Sequence, residues 1–121
     1  MQFKRSTQVA EAVKREVSDI IEKELKDPRL GFITVTGCEM ADDLRYGRVF
    51  VSVYGEGEKR KASLDGLESA KSFIRREVGH RLRLRYTPEL DFRMDESVAQ
   101  GDRIDRLLHQ LEKDREDHGD R

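Results

Sequence analysis

The sequence predicts a small α+β domain in which helices cover one face of a three-stranded sheet. Three observations carry that expectation. A helix-period apolar stripe opens the chain and a second occupies its middle, two β-rich runs lie between them, and a third alternating run follows Pro88. At 121 residues the chain has the length of about one ordinary domain.

Val9, Val13, Val17, Ile20, Ile21 and Leu25 recur at three- and four-residue steps and trace one helical stripe, with Ser6 or Thr7 placed to cap its start. The stripe ends at Lys26-Asp27-Pro28, because proline's ring excludes the helical conformation from the residue before it. Phe32 to Met40 is β-rich, with Gly37 as a bulge position, and Arg48 to Tyr54 alternates valines with Phe50, Ser52 and Tyr54. The short link Ala41 to Gly47 makes the two an antiparallel hairpin. Gly55 to Lys61 reads as a polar exit loop.

From Ala62 to Leu82 a helical pattern returns through Leu64, Leu67, Ala70, Ile74, Val78 and Leu82. Gly66 and Gly79 each weaken it by about 1 kcal/mol relative to Ala, so two helices meeting at a bend are expected. Leu90, Phe92 and Met94 alternate with Asp91, Arg93 and Asp95 as a third strand. Ile104, Leu107, Leu108 and Leu111 suggest a short last helix, and residues 112–121 read as a charged, disordered tail. The expected order is α-β-β-α-(bend)-α-β, with a domain over 1–111 and a tail over 112–121.

Composition narrows the function classes. Apolar residues make up 36% of the chain and charged residues 40%, enough for one modest core. Formal net charge is −1, so attraction to phosphate must come from local asymmetry. A lone Cys38 fits a reducing cytosol, and no run approaches the roughly 20 apolar residues of a membrane span. The chain is therefore expected to be soluble and cytoplasmic, with no membrane partner.

Candidate chemistry is sparse. Cys38 sits in a strand without a neighbouring His, which reads as a structural thiol. His80, His109 and His118 share no metal-ligand spacing. Asp42-Asp43 are placed as turn formers, and Gly55-Glu56-Gly57 lacks the Lys and Ser/Thr of a phosphate loop. No catalytic residue, metal, cofactor or small-molecule substrate is expected. The basic run stands apart: Lys71, Arg75, Arg76, Arg81, Arg83 and Arg85 are opposed only by Glu77. It reads either as a solvated helix face whose arginine stems cover the core, or as a surface for RNA, since Arg forks pair bidentately with phosphate.

The segments KDPRLGFITVTGCEMADDLRYGRVFVSVYG and SFIRREVGHRLRLRYTPELDFRMDESVAQGDRI resemble ribosome-binding factor A, the bacterial assembly factor of the small ribosomal subunit. The similarity runs from about Ser6 to Leu111. Its distinctive pieces are Asp27-Pro28-Arg29-Leu30-Gly31, Asp43-Leu44, Val49-Phe50-Val51 and Leu82-Arg83-Leu84-Arg85 followed by Pro88-Glu89-Leu90. The resemblance implies a type II KH-like fold in which Leu82 to Tyr86 ends the second helix of the bent pair. It also implies a non-enzymatic monomer that binds the immature 30S subunit through 16S rRNA and supports late maturation, most of all in the cold. The family carries Ala-x-Gly at the helix bend. Here the matching residues are Ala70, Lys71 and Ser72, and Ser lacks glycine's backbone freedom. Gly47 stands where alanine is commoner, a difference of little expected consequence.

The expected rRNA surface is the basic run, extended from the first helix by Lys4, Arg5, Lys14 and Arg15. Shape and backbone contacts should dominate there, because the chain offers few aromatics for stacking on bases. The rival reading is a protein-binding adaptor that offers the same arginines to an acidic partner.

Overall fold

The computed structural model describes residues 4–95. Helix α1 (Arg5–Lys23) leads to strand β1 (Ile33–Met40), then β2 (Tyr46–Val53), helix α2 (Glu58–Arg81) and β3 (Glu89–Met94). The sheet order is β1-β2-β3, antiparallel between the first pair and parallel between the second. A parallel neighbour demands a crossover, and α2 supplies it.

Both helices pack on one face of the sheet. Val13, Val17 and Ile20 of α1 and Leu67, Ile74 and Val78 of α2 meet Val35, Val49, Val51, Val53 and Leu90 in one core. Alternation assigns the strand faces: Val49, Val51 and Val53 point inward, while Phe50 and Ser52 lie on the open side. The register between β1 and β2 shifts between Val35 and Gly37, so the bulge falls at Thr36, one residue before the expected Gly37, and the buried Thr36 hydroxyl has no hydrogen-bond partner among the described residues.

Several local expectations are corrected. Neither Ser6 nor Thr7 caps α1. Lys4 occupies that position without a side-chain cap, and Ser6 Oγ instead donates to Asp42 Oδ1 at 3.2 Å. Helix α2 begins at Glu58, so the second half of the expected exit loop is helical.

Nor does α2 divide. It is assigned as one helix from Glu58 to Arg81, with Ala70, Lys71 and Ser72 inside it. Those three residues include neither glycine nor proline, so nothing in them interrupts the hydrogen-bond ladder. Gly66 is buried because the turn before β1 lies against it, and an added Cβ would sit 2.8 Å from Leu30 Cδ2. The glycine there serves close packing rather than flexibility.

That turn is the conspicuous Asp27-Pro28-Arg29-Leu30-Gly31 segment, and the structure gives it a docking role. Asp27 accepts from the Arg29 N–H at 2.9 Å and pairs with the Arg29 guanidinium at 2.6 Å. Ser63 of α2 then donates to the Arg29 carbonyl at 3.3 Å and accepts from the Gly31 N–H at 3.2 Å. Gly47 is buried, and a Cβ there would displace the flexible Met40 Sδ and lie 3.1 Å from the Glu39 carbonyl, so an alanine requires small shifts of both neighbours.

Candidate nucleic-acid interface

Helix α2 stops at Arg81 rather than running on to Tyr86, and the reason is local. The Leu84 N–H donates to the Gly79 carbonyl at 3.0 Å and the Arg83 N–H to the His80 carbonyl at 3.2 Å, a Schellman closure. Such a closure needs a left-handed residue, usually glycine, just past the helix. Here Arg83 fills it at φ 52°. The chain turns outward at once and reaches β3 through Tyr86 and Pro88.

The clustered cations fall into two groups. Arg81 is tied down: its Nη1 lies 2.9 Å from Asp19 Oδ2 and 3.1 Å from Glu16 Oε2, both on α1. Glu24 lies 3.6 Å from its Nη2 as well. The hydrogen bonds that Arg81 donates to Asp19 and Glu16 raise the guanidinium's pKa further, and Asp19 is held below the usual carboxylate range by Lys23 first and Arg81 second. Arg75 is tied to the loop, with Nε donating to the Pro88 carbonyl at 2.8 Å and Nη2 2.8 Å from Glu89 Oε1. Lys71 bonds Glu68 at 3.0 Å and approaches Asp91 at 3.6 Å.

Arg76 and Arg83 form the other group. Both are exposed, and neither has an ion-pair partner among the described residues. They line an open cleft of about 870 Å³ together with His80, Arg81, Leu84 and Thr87. Arg85, also exposed, lies 5.4 Å from the Tyr86 ring centroid, and Arg45 of the β1–β2 link lies 4.1 Å from the same ring.

The α1 cations do not form one track. Lys4 and Arg5 are exposed at the helix start. Lys14 follows Thr7 and Glu11 at helical spacing, and those two residues border a groove with Cys38 and Met40 of β1. Arg15, four residues before Asp19, lies toward the α2 flank. Two neighbours of the cluster escaped the sequence reading. His80 was legible in principle, since Arg76, His80 and Arg83 recur at four- and three-residue steps. Arg45 gave no signal, because only the fold carries it to Tyr86.

Cys38 is half-buried, and burial, followed by the charges of Glu11 and Glu39, pushes its thiol up to about 12, far from thiolate chemistry. Among the described residues no group of three or more His, Cys, Asp or Glu side chains is arranged to hold a metal, and no helix is long and apolar enough to cross a membrane.

A small α+β domain with a cationic helix end and an open cleft belongs to the class of compact binding domains. The family model of ribosome-binding factor A matches residues 5–108, and the chain belongs to that family. The crystal structure of ribosome-binding factor A from Thermus thermophilus superposes with a TM-score of 0.65 at 26% identity, covering 74% of this chain and 94% of that one. A Thermotoga maritima protein solved by NMR and assigned provisionally to the same factors gives 0.64 at 33% identity, over 74% and 85% of the two chains. Coordinates of the Thermus thermophilus factor fitted into a cryo-EM map of a 30S–RbfA complex give 0.63 at 25% identity, over 75% and 96%.

Proposed function

We propose that this protein binds the immature 30S subunit through 16S rRNA and supports its late maturation and rRNA processing, a need felt most in the cold. Arg76 and Arg83 meet phosphates across the cleft at the end of α2, with His80 beside them, and Arg85 meets them from the loop that follows. Family membership and the 30S complex of the Thermus relative support the role. The observation that carries the assignment of residues is the division of the cluster. Arg75 and Arg81 have their guanidinium groups paired with carboxylates of the protein, whereas Arg76 and Arg83 have no ion-pair partner among the described residues and line an open cleft that Arg81 also borders. Guanidinium groups without an ion-pair partner around a cleft suit the closely spaced phosphates of folded RNA, with which the arginine fork pairs bidentately. The protein acts as a cytoplasmic monomer in which residues 1–111 form the binding domain and 112–121 a charged tail.

Co-sedimentation with small subunits tests this reading. The protein should pellet with intact precursor subunits and be released when their rRNA is digested. Retention on the residual protein after digestion would favour the adaptor reading instead.

A further inference from the structure

Tyr86 stands in the loop between α2 and β3, 45% exposed, with Arg83 and Arg85 just before it. Thr87, just after it, lines the arginine cleft. The Arg45 guanidinium lies over the Tyr86 ring with Cζ 4.1 Å from the centroid, and that of Arg85 with Cζ at 5.4 Å. Both arginines are exposed, and neither has an ion-pair partner among the described residues. Ring and guanidinium together present planar surface to solvent beside the cationic cleft.

The backbone is strained on both sides of this stack. Leu44 at φ 64° and Arg83 at φ 52° are the only non-glycine residues with left-handed backbone among those described. Leu44 directly precedes Arg45, and Arg83 opens the loop that carries Tyr86. Hydrogen bonds fix the arrangement. The Arg45 N–H donates to Asp43 Oδ1 at 3.0 Å, and the Arg45 carbonyl accepts from the Glu89 N–H at 2.8 Å, which ties the β1–β2 link to the start of β3. Such strain persists only where the surroundings overdetermine it, and it collects at binding sites. An exposed cation–π contact adds little stability, so bracing the loop does not account for it.

We infer that Tyr86 and Arg45 form a stacking platform for one unpaired base of a single-stranded RNA segment, with Arg83 and Arg85 taking neighbouring phosphates. This rests on the RNA reading of the cleft and adds to it the class of RNA. A tyrosine ring and a guanidinium plane both stack on bases, and only a base splayed out of a helix offers its face. Paired RNA keeps its bases inside and would meet the same arginines through phosphate alone. Phe32 and Tyr54 are more exposed, but they lie past the far end of β2 from Glu89 and the basic loop.

Two short RNAs of equal length and charge test the inference on the full-length protein: a single strand with its bases, and one whose sugars carry none. The parent should bind the first more tightly, by about tenfold or more, with the same salt dependence for both. Tyr86→Leu should erase most of that preference, as should Arg45→Lys, which keeps the charge and loses the plane. Affinity for the baseless strand should hold in each variant, which also reports that it is folded. Tyr86→Phe should retain the preference, and Tyr86 ring protons should move upfield with the base-bearing strand alone. Equal affinity of the parent for the two strands, with undiminished salt dependence, would overturn the stacking and leave the phosphate contacts standing. A preference that survives Tyr86→Leu and Arg45→Lys would overturn it too. Binding of neither strand would overturn the RNA reading and the platform together. Ring signals that shift only with the protein fraction of small subunits would overturn it by assigning the platform to a protein partner.

Discussion

Arg81 Nη1 stands 2.9 Å from Asp19 Oδ2, so the last residue of α2 is tied to the later half of α1. With Glu16, Glu24 and Glu77 also within 4.0 Å of its guanidinium, this arginine neutralises a patch of acid between the helices. Arg81→Gln should lower the denaturation midpoint, more at low salt than at high, because screening weakens whatever repulsion is left. It should leave the salt dependence of RNA binding nearly unchanged. Unaltered stability with a flattened salt dependence would show that Arg81 reaches the RNA.

Arg83 holds a left-handed conformation that glycine adopts freely. Release of that strain, offset by glycine's greater freedom in the unfolded chain, should make Arg83→Gly more stable by about 0.5–1 kcal/mol. RNA affinity should fall in the same variant. An arginine kept where glycine would be the more stable choice is what a binding role at this turn requires. Urea denaturation and a binding titration on one sample read both effects, and a variant that loses stability would show that the side chain packs.

Ile74 is fully buried against the sheet. Ile74→Ala should cost roughly 2–5 kcal/mol by leaving a cavity, measured by chemical denaturation. A loss under about 0.5 kcal/mol, the range of surface changes, would place this side chain outside the core.

Acid should destabilise the fold through three carboxylates. Asp19 is held down by Lys23 and Arg81, Asp27 by Arg29, and Asp91 by Tyr46 and then Lys71. Each is depressed in the folded state, so its contribution is present above the unfolded value of about 3.9 and lost as pH falls through the folded one. Denaturation midpoints should therefore be level from neutrality to about pH 5 and drop below about pH 4. Asp27→Asn should remove part of that drop; an unchanged acid limb would show that the Asp27–Arg29 pair adds nothing.

The element order and most of the core were readable from the chain, because Val13, Val17, Ile20, Ile74 and Val78 recur at helical spacing and Val49, Val51 and Val53 alternate. What misled was glycine. Gly66 suggested a weak helix, yet it marks the close approach of Leu30, a contact that no local pattern encodes. The arginine cluster was visible as composition but not as geometry. Which guanidinium groups are engaged depends on Glu16, Asp19 and Glu89, residues distant in sequence that only folding brings near. The cap failed for the same reason: Ser6 had a partner in Asp42 that lay outside its own segment.

The dependence of binding on salt tests most directly whether the free arginines meet rRNA phosphates. Each phosphate contact contributes a slope of about −0.7 to −0.9 in log affinity against log salt. Replacing Arg76, Arg83 and Arg85 by Gln should flatten the slope measured on small subunits by roughly two to three units. Replacing Lys59, Arg60 and Lys61 by Gln removes the same charge from the opposite end of α2 and should change it much less. Equal slopes and equal affinity losses in the two triple variants would contradict the assignment and place the RNA-binding face elsewhere on the domain.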